Sequence, residues 1–239
     1  MASPLQTGET SVLTSTVATL HDNSAHGEDN YLVRNLGGNA LLDAVMDGVT
    51  GRRGGQASRL VADALAAASL ASPDDVVVVL EDVNRQCYQI GGGHFLLTTV
   101  SAALFLDGKL SIVGTGDSPV FLIHSDSVQQ LSSCMNGVVQ GGIVRAIGAR
   151  RQLENLHRAE VTIAPGDRVV LATDGVTDNV TRSELVQVVR RVASPEEAAE
   201  RIRTLMATRY GEGLLPEPLG GAFRRDDWTA IFRFFTLAS

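Results

Sequence analysis

Two hydrophobic periods alternate along the chain. Short Val-, Leu- and Thr-rich runs have the character of strands, and longer segments repeat their apolar residues every three or four positions as helices do. Residues 11–20, 30–36 and 40–46 are of the first kind, and Gly37, Gly38 and Asn39 make a hairpin of the last two. After Gly54 and Gly55 an Ala-rich stretch runs to Leu70, with Leu60, Ala64, Ala67 and Ala68 at helical spacing. Such small residues suit close packing on a flat surface.

A second helix starts at Ser72, Pro73 and Asp75, which supply an N-cap, a first-turn proline and an acid three positions after the cap. Val76, Val79, Leu80, Val83 and Cys87 share one of its faces. Four consecutive valines favour a strand locally, but the cap and the period predict a helix. Residues 96–123 return to strand character as LLTTVSAALFL, KLSIVGTGDS and PVFLI, with a turn at Asp107 and Gly108, and predict an antiparallel meander. Strands at 159–163 and 168–173 follow, joined by a turn at Pro165, Gly166 and Asp167. Thr181 with Glu184, and Ser194 with Pro195 and Glu197, then open two capped helices. Residues 211–225 form a Gly- and Pro-rich loop before a last strand at 228–235.

This order predicts an α+β fold, a sandwich in which helices cover antiparallel sheets, in a single domain over residues 1–239. An apolar content of 44% with only 20% charged residues excludes a disordered chain. A net charge of -7 argues against a nucleic-acid partner. No apolar run is long enough for a membrane span, and the start lacks the pattern of a secretory signal, so a cytoplasmic location is expected. Cys87 and Cys134 lack metal-ligand spacing and are expected to be plain thiols.

The chemistry lies in the carboxylates. Asp47, Asp117 and Asp174 each follow an apolar strand at a turn, Asp226 and Asp227 precede the last strand, and Glu28 and Asp29 precede an early one. Gly48 and Gly175 let the backbone turn sharply directly after two of these acids. Asp107 and Asp167 are read as turn residues only. Carboxylates at strand ends can converge on one rim, where they repel unless neutralised. Oxygen ligands without His or Cys suit Mg or Mn.

In order, GEDNYLV, AVMDGVTG, TTVSAALF, VGTGDSPVFLI, VRAIG, LATDGVTDNV and RDDWTAIF resemble the motif series of the type 2C metal-dependent protein Ser/Thr phosphatases (PPM family), from Glu28 to Phe232. The resemblance implies a four-layer αββα sandwich and a hydrolase for phosphoserine and phosphothreonine in proteins, active in signalling. It implies two Mn2+ or Mg2+ ions, with a third more weakly held, and attack by a water bridging the two. Asp47 corresponds to the bridging ligand, Gly48 to a carbonyl ligand, and Asp174 and Asp226 to ligands of the second ion. Glu28 and Asp29 correspond to the acidic pair that holds ion-bound water, and Asp117 to a ligand of the third ion. Asp227 takes the place of a frequent Asn, and Thr229 keeps a polar position. The family's phosphate-gripping Arg is Ser24 here, Val49 and Thr50 replace a His-containing stretch, and Pro119 replaces another Arg. His21, His26, Arg52 and Arg53 are the basic residues nearby in sequence. These departures keep a second reading open, a catalytically weak domain acting as a regulatory binding module.

Overall fold

The computed structural model describes residues 13–132, 145–154 and 156–238. Strands β1 (Leu13–Asp22), β2 (Asn30–Gly37) and β3 (Ala40–Met46) lead into helices α1 (Gly54–Ala67) and α2 (Pro73–Gly91). Six strands follow: β4 (Val100–Leu106), β5 (Lys109–Thr115), β6 (Val120–Ile123), β7 (Val128–Gln130), β8 (His157–Thr162) and β9 (Arg168–Ala172). Helices α3 (Asp174–Thr177), α4 (Arg182–Arg191) and α5 (Pro195–Glu212) precede the closing strand β10 (Trp228–Leu237). Among the described residues the strands form two antiparallel sheets, ordered β1-β10-β9-β6-β7 and β2-β3-β4-β5-β8.

Strand alternation sorts the core into three layers. From β3, Leu42, Ala44 and Met46 point outward against Val61 and Leu65 of α1 and Leu80 and Cys87 of α2. Val45, with Ala103 and Ile112, points inward and meets Leu122, Leu171, Ile231 and Phe235 of the other sheet. On that sheet's outer face Val170, Ala230 and Phe232 pack against Val189, Ile202 and Met206 of α4 and α5. The expected αββα sandwich is the observed fold.

The valine run is helical. Ser72 Oγ accepts from the Asp75 N–H at 3.3 Å, Pro73 opens the first turn, and burial of Val76 and Val77 outweighs their strand preference. Thr181 and Glu184 form a full capping box on α4. Asp107 and Gly108 both have positive φ, as a tight hairpin between β4 and β5 requires. The short β7 and α3 are additions to the sequence reading, and Cys134 lies outside the described residues.

The meander over 96–123 needs correction. β4 and β5 pair with each other, but β6 leaves for the other sheet and pairs with β9 and β7. Gly116, at φ 109°, and Pro119 break the ladder and carry the chain across. Both β5 and β6 are buried on both faces, so the hydrophobic pattern fits either sheet. The strands flanking the Gly166 turn are likewise split, β8 on one sheet and β9 on the other. Asp167 is more than a turn residue. It is buried, accepts from the Ala164 N–H at 2.8 Å and pairs with His124 Nδ1 at 2.6 Å.

An ion pair lies between the sheets. Arg233 of β10 donates from Nε and Nη2 to the two carboxylate oxygens of Asp43 on β3, at 2.5 and 2.7 Å, and from Nη1 to Ser15 Oγ at 2.8 Å. Both residues are buried. Burial pushes the Asp43 pKa up and the guanidinium opposes that rise. No helix among the described residues is long and apolar enough to cross a membrane.

Removing one partner of this pair leaves an uncompensated buried charge. Arg233→Ala is expected to lower stability by about 3–5 kcal/mol in urea unfolding, and the double variant Asp43→Leu/Arg233→Met to recover most of that loss.

Candidate metal centre

Asp47 leaves β3 directly and is tied to the start of β4. Its N–H donates to Thr99 Oγ1 at 3.2 Å, and its carbonyl accepts from the Thr99 N–H and from Thr98 Oγ1, both at 2.8 Å. Thr99 Oγ1 also meets Ser118 Oγ at 3.1 Å, which joins the Asp47 turn to the β5–β6 crossover that carries Asp117. Asp174 is the first residue of α3, behind the N-cap Thr173.

Asp29 is buried, and its Oδ2 accepts from Thr173 Oγ1 at 2.9 Å and Thr229 Oγ1 at 2.7 Å. Thr229 Oγ1 also meets His21 Nδ1 at 3.0 Å, and burial pushes the His21 pKa down.

The electrostatics bring together six of the acids singled out in the sequence. Burial pushes Asp47 well above the usual carboxylate range, and Asp174, Asp29 and Asp117 raise it further. Asp174 is raised to about 6 by burial and by Asp117 and Asp226, against a hydrogen bond with Asp47. Asp29 is raised to about 7. Burial is the main cause, the Thr229 and Thr173 hydrogen bonds oppose it, and Asp227 and Asp174 add to it.

Asp227 has a different task. Burial would raise its pKa, but hydrogen bonds from backbone N–H groups of the 25–28 loop outweigh that and hold it low. Its Oδ1 accepts from Ala25 and His26 at 3.1 and 2.9 Å, and its Oδ2 from Glu28 at 2.7 Å. The carboxylate thus wraps the loop that delivers Glu28 and Asp29. The same wrapping sets His26 Nδ1 3.1 Å from Asp226 Oδ1, which also accepts from the Asp227 N–H at 2.8 Å.

Two glycines permit the close approach of these loops. A Cβ on Gly175 would stand 1.9 Å from the Asp227 carbonyl oxygen. One on Gly48 would meet the Gly54 carbonyl carbon at 2.4 Å and the Glu28 carbonyl oxygen at 2.6 Å. Any side chain at either position would push the acidic loops apart.

The donor set fits hard divalent cations. Buried carboxylates that raise one another's pKa require protons or cations, and oxygen donors suit Mg or Mn. Glu28 Oε2 is buried with no hydrogen-bond partner among the described residues, an acceptor that an ion's water shell would satisfy. Asp47, Asp174, Asp29, Asp117 and Asp226 could share such ions. Asp227 could not without surrendering its backbone contacts, although a carboxylate oxygen of it lies within 4.8 Å of a His26 ring nitrogen and an Asp226 oxygen.

Ser24 is exposed at the position of the family's arginine, and its N–H donates to Asp22 Oδ1 at 2.8 Å. Arg52 and Arg53 are exposed, and the Arg53 guanidinium lies 5.9 Å from the centre of the Phe95 ring. Sequence reasoning missed the loop-holding role of Asp227, the Thr173 contact to Asp29 and the contact of His26 with Asp226. Only the adjacency of Asp226 and Asp227 hinted that two neighbouring acids could divide such tasks.

A profile of the SpoIIE family (stage II sporulation protein E) matches residues 41–232. The "Serine/threonine phosphatase stp" of Listeria welshimeri is 25% identical over 218 residues, covering 78% of this chain and 86% of its own length. Among solved structures, the Ser/Thr phosphatase Stp1 of Staphylococcus aureus aligns with a TM-score of 0.74 at 19% identity, over 92% of this chain and 95% of its own. The catalytic domain of the Ser/Thr protein phosphatase PstP, in complex with two manganese ions, aligns with a TM-score of 0.72 at 23% identity, over 94% of this chain and 100% of its own. At these identities the structural likeness carries the fold, and the profile match over most of the chain carries the family. With the motif order and the clustered acids, it follows that this chain belongs to the SpoIIE family, within the type 2C (PPM) metal-dependent Ser/Thr phosphatases.

Proposed function

We propose that residues 1–239 form one catalytic domain that hydrolyses phosphoserine and phosphothreonine in cytosolic proteins with the help of Mn2+ or Mg2+. The observation that carries this reading is the convergence of acids on one site, where Asp174 and Asp29 repel Asp47 while Asp117 and Asp226 repel Asp174. In it Asp47, Asp174 and Asp226 would hold a pair of ions together with the Gly48 carbonyl, with Glu28 and Asp29 on their water and Asp117 on a third ion. When bound, the ions supply an activated water for in-line attack and neutralise the phosphate. The chain's own part is to fix these oxygens rigidly. Thr99 holds the Asp47 backbone, Thr173 and Thr229 hold Asp29, and Asp227 holds the loop ahead of it.

One observation favours the second reading, a regulatory binding module. The short Ser24 side chain stands where the family places its phosphate-gripping Arg. A guanidinium fork would form paired, charge-assisted hydrogen bonds to phosphate.

Three outcomes are expected. Hydrolysis of p-nitrophenyl phosphate depends on added Mn or Mg, ceases with EDTA, and is abolished by Asp47→Ala or Asp174→Ala in variants that keep their far-UV circular dichroism. Undiminished turnover in EDTA would refute the reading.

The second concerns pH. Unfolded, these acids titrate near 4, whereas in the folded, metal-free protein Asp174 and Asp29 titrate at about 6 and about 7. Below the unfolded value both states hold the protons and stability is fully present. As pH rises through the folded values the unfolded chain ionises freely and stability is lost. The Tm of EDTA-treated protein should therefore fall from about pH 4 to about pH 7. Mn should raise it most at the alkaline end, and Asp174→Asn should flatten the fall.

Third, Ser24→Arg is expected to lower KM by the equivalent of about 1.5–3 kcal/mol if the new side chain reaches the phosphate. An unchanged KM in Ser24→Arg together with a sharply raised one in Arg52→Ala would place the grip on α1's approach loop instead.

A further inference from the structure

We propose that His21 is a positioning residue of the metal centre, acting on Asp29 through the hydroxyl of Thr229. The inference rests on the metal-dependent reading above and adds to it a residue that the motif series does not contain.

The contact is built by strand register. His21 on β1 and Thr229 on β10 are directly paired, and Thr173 follows the end of β9 on the other side of β10. The Thr173 N–H donates to the Thr229 carbonyl at 2.9 Å, and the Thr229 N–H returns to Thr173 Oγ1 at 3.1 Å. Three neighbouring strand ends therefore present an imidazole and two hydroxyls side by side. Both hydroxyls converge on one oxygen, Asp29 Oδ2.

Proton counting sets the direction of the chain. A threonine hydroxyl has one hydrogen, and with Asp29 ionised the Thr229 hydrogen goes to Oδ2. The remaining contact of Thr229 Oγ1, 3.0 Å from His21 Nδ1, then requires Nδ1–H as the donor. The imidazole ring is held by an edge contact with Tyr31, the centroids 5.1 Å apart. His21 thus locks the Thr229 rotor with its hydrogen on Asp29, and each bond in the chain polarises the next. Asp29 has Oδ2 committed to two donors and keeps Oδ1 for the centre. Partners of this kind orient the ligand set of a metal site and commonly govern its affinity.

The competing account is that His21 only fills space at the edge of its sheet. Calorimetric titration of the full chain with Mn2+ separates the two. His21→Ala is expected to weaken Mn binding roughly 10-fold, and His21→Asn, whose amide N–H can take the place of Nδ1–H, to recover most of it. In a Thr229→Val background, His21→Ala should have no further effect, because the route is already cut. Mn binding unchanged in His21→Ala, or weakened equally in the Thr229→Val background, would overturn the inference while leaving the metal centre standing. Wild type without measurable Mn binding would overturn the metal-dependent reading and the inference with it. If His21→Ala folds poorly, His21→Gln, which keeps the bulk and moves the donor, serves as the loss variant with the same expected outcomes.

Discussion

Repulsion among buried carboxylates is the constraint around which this molecule is organised. Asp174 and Asp29 raise the proton affinity of Asp47, Asp174 raises that of Asp29, and Asp117 and Asp226 raise that of Asp174, with burial adding to all three. Left to themselves such groups would part or draw in solvent. They stay together because each is anchored by contacts that do not involve its neighbours. Thr98 and Thr99 grip the Asp47 backbone, two threonine hydroxyls grip Asp29, and α3 starts on Asp174. Energy stored in this way is available to bind cations.

The sandwich supplies those anchors from elements far apart in sequence. β3 and β4 belong to one sheet, β9 and β10 to the other, and the acids lie on the turns that leave or enter these strands. The relative placement of the two sheets therefore sets the geometry of the centre. Apolar interdigitation does most of that placing. The bidentate Asp43–Arg233 pair adds a directional link between β3 and β10, the strands that carry Asp47 at the exit of one and Asp226 at the entry of the other. A buried pair of this kind is a weak source of net stability but a strong constraint on register.

The connection between β1 and β2 holds both a departure from the family pattern and the support of the acids. It carries Ser24 in place of an arginine, and it is wrapped around the Asp227 carboxylate by three backbone N–H groups. Its His26 turns directly onto Asp226, and His21, at the end of β1 just ahead of it, reaches Asp29 by way of Thr229.

Much of this was legible in one dimension, because strand alternation, helical period, capping residues and Asp-Gly turns are local consequences of backbone geometry. The helices at Ser72, Thr181 and Ser194 and the hairpin at Asp107 could be read residue by residue, and so could the acids placed at strand ends. The motif order by itself points to the family. Which sheet receives β6 was not legible, since a strand buried on both faces carries no label for its neighbours. Nor was the division of labour between Asp226 and Asp227, or the inward turn of Asp43 toward Arg233. Adjacent or apolar-flanked acids look alike until the fold decides which of them meets N–H donors, which meets a guanidinium and which meets other carboxylates. The elements and the inventory of acids follow from near neighbours along the chain and so can be read in one dimension. The partners of each acid emerge only on folding, because a carboxylate's charge and role are set by groups that can lie 200 residues away along the chain.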